Sequence, residues 1–300
     1  MSAEGHTPAP PGDFVLAFDL PEAGLRGRLV RLDASSSRAL SAHRLPEAAS
    51  RVMAETLVLG VLLGTALKLD GRLSVQTKSD SALDLVTTDY YSADDSRAKG
   101  VRGFARFDDA RAAALEARPD FAALIGKGSL AITIEPNGGG QNYQGIVSLA
   151  AEGIAASAEA YFAQSEQLPT AIRLAAAPLF EAGQAEPRWC AGGIMLQVTP
   201  GALRSEDDWD RLSMILKTVE DIELVDTSLG AETLLWRLFH EDEVRVHPAE
   251  PIAFRCDCDT DRIASVLASY SAEDRAGLAD EDGIIRARCE FCGRVHEVAV

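Results

Sequence analysis

Four of the five cysteines in this 300-residue chain lie in its last 45 residues, where they form two close pairs. A single residue, Asp257, separates Cys256 from Cys258, and two residues separate Cys289 from Cys292. Thiolates are soft ligands, and two close cysteine pairs are the common donor set of a tetrahedral structural zinc site. The spacing therefore predicts one zinc ion per chain, held by these four sulfur atoms.

Two other interpretations of the four cysteines are open. An iron–sulfur cluster is disfavoured because the usual spacings of cluster-binding cysteines are absent. Four buried structural cysteines would not explain why the residues occur as two close pairs.

No charged and then apolar leader precedes the first predicted strand, so we expect a cytoplasmic protein. In that reducing compartment cysteines more often bind metals or carry out redox chemistry than form permanent disulfides.

The second cysteine pair is predicted to lie on a short hairpin. Gly293 directly follows Cys292, and a glycine with positive φ lets a turn direct its backbone N–H groups toward the thiolates. Apolar residues alternate with polar ones on both sides of the pair, at 285–287 and at 295–298.

The first pair suggests a second role, because zinc-binding pairs usually have two to four intervening residues. Cysteines this close can each find a partner without large chain movement, so oxidation could join Cys256 to Cys258 and Cys289 to Cys292. Zinc crosslinks two distant segments, whereas these disulfides would close loops of only three and four residues. Such short loops hardly constrain the unfolded chain, and a domain this small needs a crosslink to fold. The hypothesis is a tail that unfolds on oxidation.

The rest of the chain predicts an α+β fold. Up to about residue 200, apolar and polar residues alternate in eight stretches, 13–20, 27–34, 71–79, 83–91, 101–108, 129–135, 143–149 and 192–198. Helices are predicted for 46–68 and 153–167. Runs of strands with few crossover helices favour a mostly antiparallel sheet. We predict four regions: a disordered arm at 1–13, an α+β core domain at 14–203, a helical linker at 204–254 and a zinc-binding redox-switch domain at 255–300.

Beyond residue 204 the apolar period becomes helical. A helix is predicted to begin after a Ser205 cap, and it presents Trp209, Leu212, Ile215 and Leu216 on one stripe. A second linker helix is predicted at about 231–240. In the tail, apolar residues at 263, 266, 267 and 270 predict a helix that packs on the cysteine hairpin.

Charge and motifs argue against several classes of protein. Residues 204–300 contain 23 acidic and 11 basic side chains, a net of −12 out of −17 for the chain, which opposes nucleic-acid binding. The most apolar run, 52–67, is shorter than the ~20 residues of a membrane span and contains Glu55, so a buried helix is predicted. No complete catalytic motif is present, and the chain is not expected to be an enzyme.

The paired cysteines, together with four further stretches, resemble the thirty-three-kilodalton heat-shock chaperonins, redox-regulated holdases of bacteria. The stretches are "YQGIVSL" at 143–149, "YFAQSEQLPT" at 161–170, "AGGIMLQ" at 191–197 and "LLWRLFHEDEVRV" at 234–246. The resemblance covers residues 13–298. It implies that reduced protein binds zinc and is inactive as a chaperone. It also implies that peroxide or hypochlorite, usually with heat, converts the four cysteines to the disulfides Cys256–Cys258 and Cys289–Cys292.

The resemblance further implies what oxidation does to the rest of the chain. Zinc leaves, the tail and linker loosen, and apolar surface binds unfolding client proteins without ATP as a response to oxidative stress. Activated relatives are commonly homodimers. Trp209, Leu212, Ile215 and Leu216 are the candidate client-binding residues, since apolar surface costs ~25 cal/mol per Å² to expose and binds other unfolded chains once it is uncovered.

Two alternative functions remain. The chain could be a thiol–disulfide oxidoreductase that uses Cys289 and Cys292, although that pair is predicted on a hairpin and not at the helix N-terminus that lowers the pKa of a redox thiol. It could also be a zinc-ribbon protein-docking module, whose binding would not depend on oxidants.

Overall fold

The computed structural model of the chain describes residues 12–67, 69–184 and 186–299. Apart from its last two residues, the arm predicted for residues 1–13 lies outside these ranges. In the described ranges the strands are β1 Phe14–Leu20, β2 Leu25–Leu32, β3 Gly71–Ser79, β4 Leu83–Tyr91, β5 Gly100–Phe107, β6 Gly128–Pro136, β7 Tyr143–Ser148, β8 Thr170–Leu179, β9 Arg188–Val198, β10 Arg245–Val246, β11 Glu250–Pro251, β12 Ala253–Phe254, β13 Ile284–Arg288 and β14 Val295–Ala299.

The helices lie between and after these strands. They are α1 Ala34–Leu40, α2 Glu47–Ala66, α3 Asp109–Ala112, α4 Phe121–Ile125, α5 Ile154–Tyr161, α6 Glu206–Lys217, α7 Asp221–Val225, α8 Ala231–Phe239, α9 Thr260–Ala268 and α10 Ala272–Leu278. A single π-helical turn, Phe162–Glu166, extends α5.

The predicted α+β class is confirmed. The first sheet has the strand order β10-β1-β2-β9-β8, with β11 also paired to β1, and the second has the order β12-β5-β4-β3-β6-β7. A separate two-stranded sheet joins β13 to β14. Among the described strands, the pairing of β12 with β5 is parallel and the others are antiparallel.

Helix α2 packs between the two large sheets and forms the centre of the core. Its side chains contact β4 and β5 on one side and β8 and β9 on the other. Gly64 lets the helix approach β4, because a Cβ atom there would lie 2.0 Å from Cδ1 of Tyr90. The helix is long and apolar enough to cross a membrane, but 78% of its most apolar window is buried inside the protein. The predicted buried helix is therefore confirmed.

Helices α6, α7 and α8 cover the other face of the first sheet. Leu212 and Leu216 of α6 are fully buried there, and Trp209 and Ile215 are partly buried. They share an apolar cluster with Phe18, Ile194 and Leu196 of the sheet and with Leu224, Leu234, Leu235 and Phe239 of α7 and α8. The apolar stripe predicted on α6 thus faces the core domain and is covered by it. Ser205 caps the helix as predicted, its hydroxyl accepting a hydrogen bond from the Asp207 N–H at 3.1 Å.

The structure differs from the prediction at several elements of the core domain. The short helices α3 and α4 were not predicted. Strand β8 lacks an alternating pattern because most of its residues are buried on both faces. Helix α1 contains three serines, which are weak helix formers. Its N-terminus is stabilised from outside by the Asp13 carboxylate, which accepts hydrogen bonds from the N–H groups of Asp33 at 2.5 Å and Ser35 at 2.6 Å.

The segment predicted as a helical linker at 204–254 is helical only as far as Phe239. Residues 245–254 instead form three short strands: β10 and β11 pair with β1, and β12 pairs with β5. This segment therefore touches both large sheets immediately before the first cysteine pair.

Candidate metal centre

Cys289 and Cys292 lie on the tight turn between β13 and β14. The Gly293 N–H donates to the Cys289 carbonyl at 2.8 Å, and the Cys289 N–H donates to the Arg294 carbonyl at 2.8 Å. Gly293 has a φ of +71°, the left-handed conformation that glycine adopts without strain. The predicted hairpin and the predicted positive φ of its glycine are confirmed.

Cys256 and Cys258 lie between strand β12 and helix α9. The N–H of Arg255, just before the pair, donates to the Val101 carbonyl of β5 at 3.0 Å. Asp259, just after it, caps α9 by accepting from the Asp261 N–H at 3.2 Å. The short connection between these two anchors presents both thiols toward the hairpin.

The four Sγ atoms converge and lie within 4.8 Å of one another. Two of the separations join the two segments, 3.7 Å from Cys256 to Cys289 and 3.5 Å from Cys258 to Cys292. A tetrahedral zinc ion with Zn–S bonds of about 2.3 Å places its sulfur ligands about 3.8 Å apart. The donor set and its spacing therefore fit a four-thiolate metal ion.

Burial and hydrogen bonding shift the pKa values of three of the four thiols. Burial raises the pKa of the Cys256 and Cys258 thiols. Burial also opposes ionisation of Cys292, but the Arg294 N–H and the neighbouring thiols donate to its sulfur and lower its pKa. Metal binding requires thiolates, so a bound metal ion would displace the thiol protons that burial favours.

Helix α9 forms as predicted and packs on the hairpin through β14. The Thr260 hydroxyl lies 2.8 Å from Nδ1 of His296, a β14 residue that is 3% exposed. Ile263 and Leu267 are partly buried, whereas Val266 and Tyr270 remain exposed. The helix therefore covers the hairpin with its first two turns only.

The cysteine hairpin docks on the core domain through residues that the sequence did not single out. The Arg102 guanidinium lies 3.9 Å from the centroid of the Phe291 ring, between the two hairpin cysteines. Phe104 packs edge-on against the same ring at 5.6 Å. Arg38 of α1 donates to the Cys292 carbonyl at 3.1 Å, and Arg288 donates to the Ala42 carbonyl at 2.5 Å.

The first cysteine pair is tied to the core domain by ion pairs. Asp257, between Cys256 and Cys258, pairs with Arg97. Arg255 pairs with Asp94 at 3.0 Å and lies over the Tyr91 ring at 4.8 Å. The fifth cysteine, Cys190, is buried in β9 and lies outside the cluster.

Comparison with known proteins places this arrangement in a family. The family model described as Hsp33 protein matches residues 13–299. The chain belongs to the Hsp33 family. Among Hsp33 relatives, the 33 kDa chaperonin of Caulobacter vibrioides is 37% identical over 292 residues, covering 95% of this chain and 94% of the relative. The 33 kDa chaperonin of an Escherichia coli strain is 34% identical over 269 residues, covering 90% and 86%.

The fold agrees with that of a solved Hsp33 structure. The crystal structure of the 33 kDa chaperonin of Thermotoga maritima matches with a TM-score of 0.76, covering 95% of this chain and 94% of the other, at 18% identity. The resemblance inferred from the sequence motifs is therefore confirmed at the level of family and fold.

The candidate client-binding residues lie on α6, apart from the cysteines. The chain connects the two regions through α7, α8 and strands β10, β11 and β12. These three strands pair with the two large sheets and lie between the linker helices and the first cysteine pair. The same strands therefore anchor both the end of the linker and the start of the tail.

Proposed function

We propose that this chain is an ATP-independent molecular chaperone that oxidation of its four tail cysteines activates. The observation that carries the proposal is the convergence of four thiols, from two segments about 30 residues apart, within 4.8 Å. The names of the Hsp33 relatives, 33 kDa chaperonins, support a chaperone activity.

In the reduced protein, Cys256, Cys258, Cys289 and Cys292 would hold one zinc ion. Among the described residues from 256 to 299, only Ile285, Cys292 and His296 are buried. Three buried side chains are too small a core to fold a segment of this size, so the metal crosslink would supply most of its stability.

Oxidation would then remove the crosslink. Each disulfide forms by loss of two electrons from two zinc-bound thiolates, while one peroxide O–O bond is cleaved and, with two protons from solvent, two waters are released; the zinc ion loses its ligands and leaves. Two peroxide molecules per chain would yield Cys256–Cys258 and Cys289–Cys292. Each bond lies within a single segment, so neither would replace the crosslink between the two segments.

Loss of the folded tail would release the linker. Helices α6, α7 and α8 cover the apolar face of the first sheet, and they are continuous with strands that end at the cysteines. Their release would uncover that face together with Trp209, Leu212, Ile215 and Leu216. The exposed surface would bind partly unfolded client proteins and keep them from aggregating.

Other parts of the proposal rest on the family and on charge. We infer that the activated protein is a homodimer and that it acts in the cytoplasm during oxidative stress. The net charge of −12 over residues 204–300 supports partners other than nucleic acid. The protein is proposed to act by binding, not as an enzyme, and without association with a membrane.

Light scattering of a heat-unfolding client tests the proposal. The zinc-loaded, reduced protein and the peroxide-treated protein are compared at the same mild heat. We expect suppression of scattering only in the oxidised sample, with release of about one zinc per chain into a chelating dye. Equal scattering in both samples would contradict the switch.

An insulin-reduction assay separates this proposal from a thiol–disulfide oxidoreductase. Cys289 and Cys292 lie on a hairpin turn and not at a helix N-terminus, which disfavours a redox enzyme. A zinc-ribbon docking module would bind its partner equally with and without oxidant.

A further inference from the structure

Two arginines of the first sheet hold the linker by its main chain. Arg31 on β2 donates from Nη2 to the Glu223 carbonyl at 3.0 Å and from Nη1 to the Leu229 carbonyl. Arg173 on β8 donates from Nη2 to the Val219 carbonyl at 3.0 Å. It also pairs with the Asp221 carboxylate at 3.0 Å. Three of these four acceptors are backbone carbonyls, which any polypeptide offers.

Strand β9 lies between the strands that carry the two arginines, and a glycine on it leaves room for a polypeptide backbone. Gly192 of β9 pairs in register with Arg31, and Ile194 two residues on pairs with Arg173. A Cβ atom on Gly192 would lie 2.2 Å from the Leu224 carbonyl oxygen, so the linker backbone rests directly on the sheet at this point. Any side chain here would displace it.

Two of the three carbonyls lie outside the linker helices, and the third, that of Glu223, lies in the last turn of the five-residue helix α7. Val219 follows the end of α6, and Leu229 lies just before the start of α8. Carbonyls at such places lack helical partners, as do the carbonyls of an unfolded chain. In a folded protein nearly all buried carbonyls are already paired. The arginine N–H donors at these positions can therefore distinguish an unfolded chain from a folded one, whatever the amino-acid sequence of that chain.

Arg31 is buried, so its guanidinium depends on these carbonyl acceptors. Its side chain is 6% exposed, and its Nε atom has no partner. A buried guanidinium is costly unless its donors are satisfied. If the linker leaves, both of the carbonyls that Arg31 binds are lost together, and the vacated groove retains donors with no acceptors.

We propose that, after release of the linker, Arg31 and Arg173 bind the main-chain carbonyls of an unfolded client laid across Gly192. The linker segment 219–229 occupies this site in the present structure and so acts as an internal substitute for the client. Ile194, Leu196 and Phe18 on the same face would accept apolar client side chains. This inference rests on the proposed chaperone function and locates its client site on the sheet.

The test uses a probe without charge, so that loss of an arginine cannot act through long-range electrostatics. The probe is a blocked peptide of about 20 residues, long enough to cross a sheet, made of Leu, Ser, Thr and Asn with a neutral fluorophore. Its affinity for the oxidised, full-length protein is measured by fluorescence anisotropy.

The variants are Arg31→Met and Arg173→Met. The matched control is Arg28→Met, on the same strand but alternating onto the opposite face, where it donates to the Gly27 carbonyl.

We expect each of the two substitutions to raise the Kd by about tenfold or more, as for loss of hydrogen bonds from a charged donor, and the control to stay within about twofold. Unchanged Kd values for Arg31→Met and Arg173→Met would overturn the inference. Absence of any binding by oxidised wild-type protein would instead overturn the chaperone function, and the client site with it.

A second measurement begins with the wild-type protein alone, so its first result does not depend on variant folding. Alternate amide bonds of the probe are replaced by esters, whose carbonyls are weaker acceptors. Oxidised wild-type protein is expected to bind the ester probe several-fold more weakly than the amide probe. In the two arginine variants the difference between probes should shrink, as in a double-mutant cycle. Equal binding of both probes to the wild-type protein would refute recognition of carbonyls.

Discussion

The guanidinium of Arg102 lies over the Phe291 ring, its central carbon 3.9 Å from the ring centroid. This contact joins strand β5 of the core domain to the turn that carries Cys289 and Cys292. Asp89 also binds Arg102: its carboxylate accepts a hydrogen bond from Nη2 of Arg102 at 2.8 Å. The ring is also bounded by Phe104 at 5.6 Å. The cysteine hairpin is therefore docked through its own turn, so docking and metal binding share one short segment.

The first prediction concerns this contact. Phe291→Ala removes a cation–π interaction of about 0.5–2 kcal/mol and an aromatic pair, and leaves the four cysteines in place. We expect the loosened hairpin to release zinc several-fold faster under peroxide, measured with a chelating dye. Tyr270→Ala, at a tail residue that is 48% exposed, is the control. Equal rates in wild type and Phe291→Ala would show that docking does not protect the metal.

The second prediction concerns the ligand set. Cys258→Ser replaces one soft thiolate with a poor zinc ligand, so we expect weaker zinc binding and partial chaperone activity without oxidant. Zinc content by elemental analysis and light scattering of a heated client measure the two effects. Cys190→Ser changes a buried cysteine outside the cluster and should leave zinc content unchanged. Full zinc occupancy and full dormancy in Cys258→Ser would count against the switch.

The third prediction concerns the covered stripe on α6. Leu216→Ala creates a cavity beneath the linker and is expected to cost about 2–5 kcal/mol of packing, since Leu216 is fully buried. The linker should then detach more readily, and the reduced protein should partly suppress client aggregation in light scattering. Met214→Ala, on the solvent side of the same helix at 61% exposure, should remain dormant. Dormancy of both variants would argue that linker packing does not gate activity.

The fourth prediction concerns pH and Glu55 on the central helix α2. Burial raises the pKa of Glu55 to about 7, with Arg51 opposing the shift. Because this folded-state pKa lies above the unfolded value, the protonated side chain contributes stability that is fully present below about pH 4.5 and is lost as pH rises to about 7. The free energy of unfolding should fall over this window by on the order of 2 kcal/mol more in wild type than in Glu55→Gln.

Urea denaturation of the reduced protein at about pH 5 and about pH 8 measures the effect of Glu55. Glu47→Gln, at the exposed start of the same helix, is the control and should keep the wild-type dependence on pH. If Glu55→Gln keeps the same pH dependence as wild type, another group is responsible.

Features set by short-range pattern could be predicted from the sequence. Strands β3 and β4 begin and end where alternation of apolar and polar residues predicts, because each has neighbours on both sides and one consistently buried face. The cysteine hairpin and its glycine were predictable for a similar reason: the conformation of a tight turn depends on a few consecutive residues. The convergence of the two cysteine pairs followed from ligand chemistry, which requires four donors around one ion.

Features that depend on distant partners were decided by the tertiary structure alone. Helix α1 owes its N-terminal cap to Asp13, and strands β10, β11 and β12 exist because β1 and β5 offer free edges. The contacts of Phe291 with Arg102, and of Arg31 with the linker carbonyls, join residues nearly 200 positions apart. A side chain that reaches across such a distance leaves no periodicity in its own neighbourhood, because its partner is chosen by the packing of whole elements. The sequence by itself thus determined the chemistry of the cysteines, and only the fold decided what holds the tail and the linker in place.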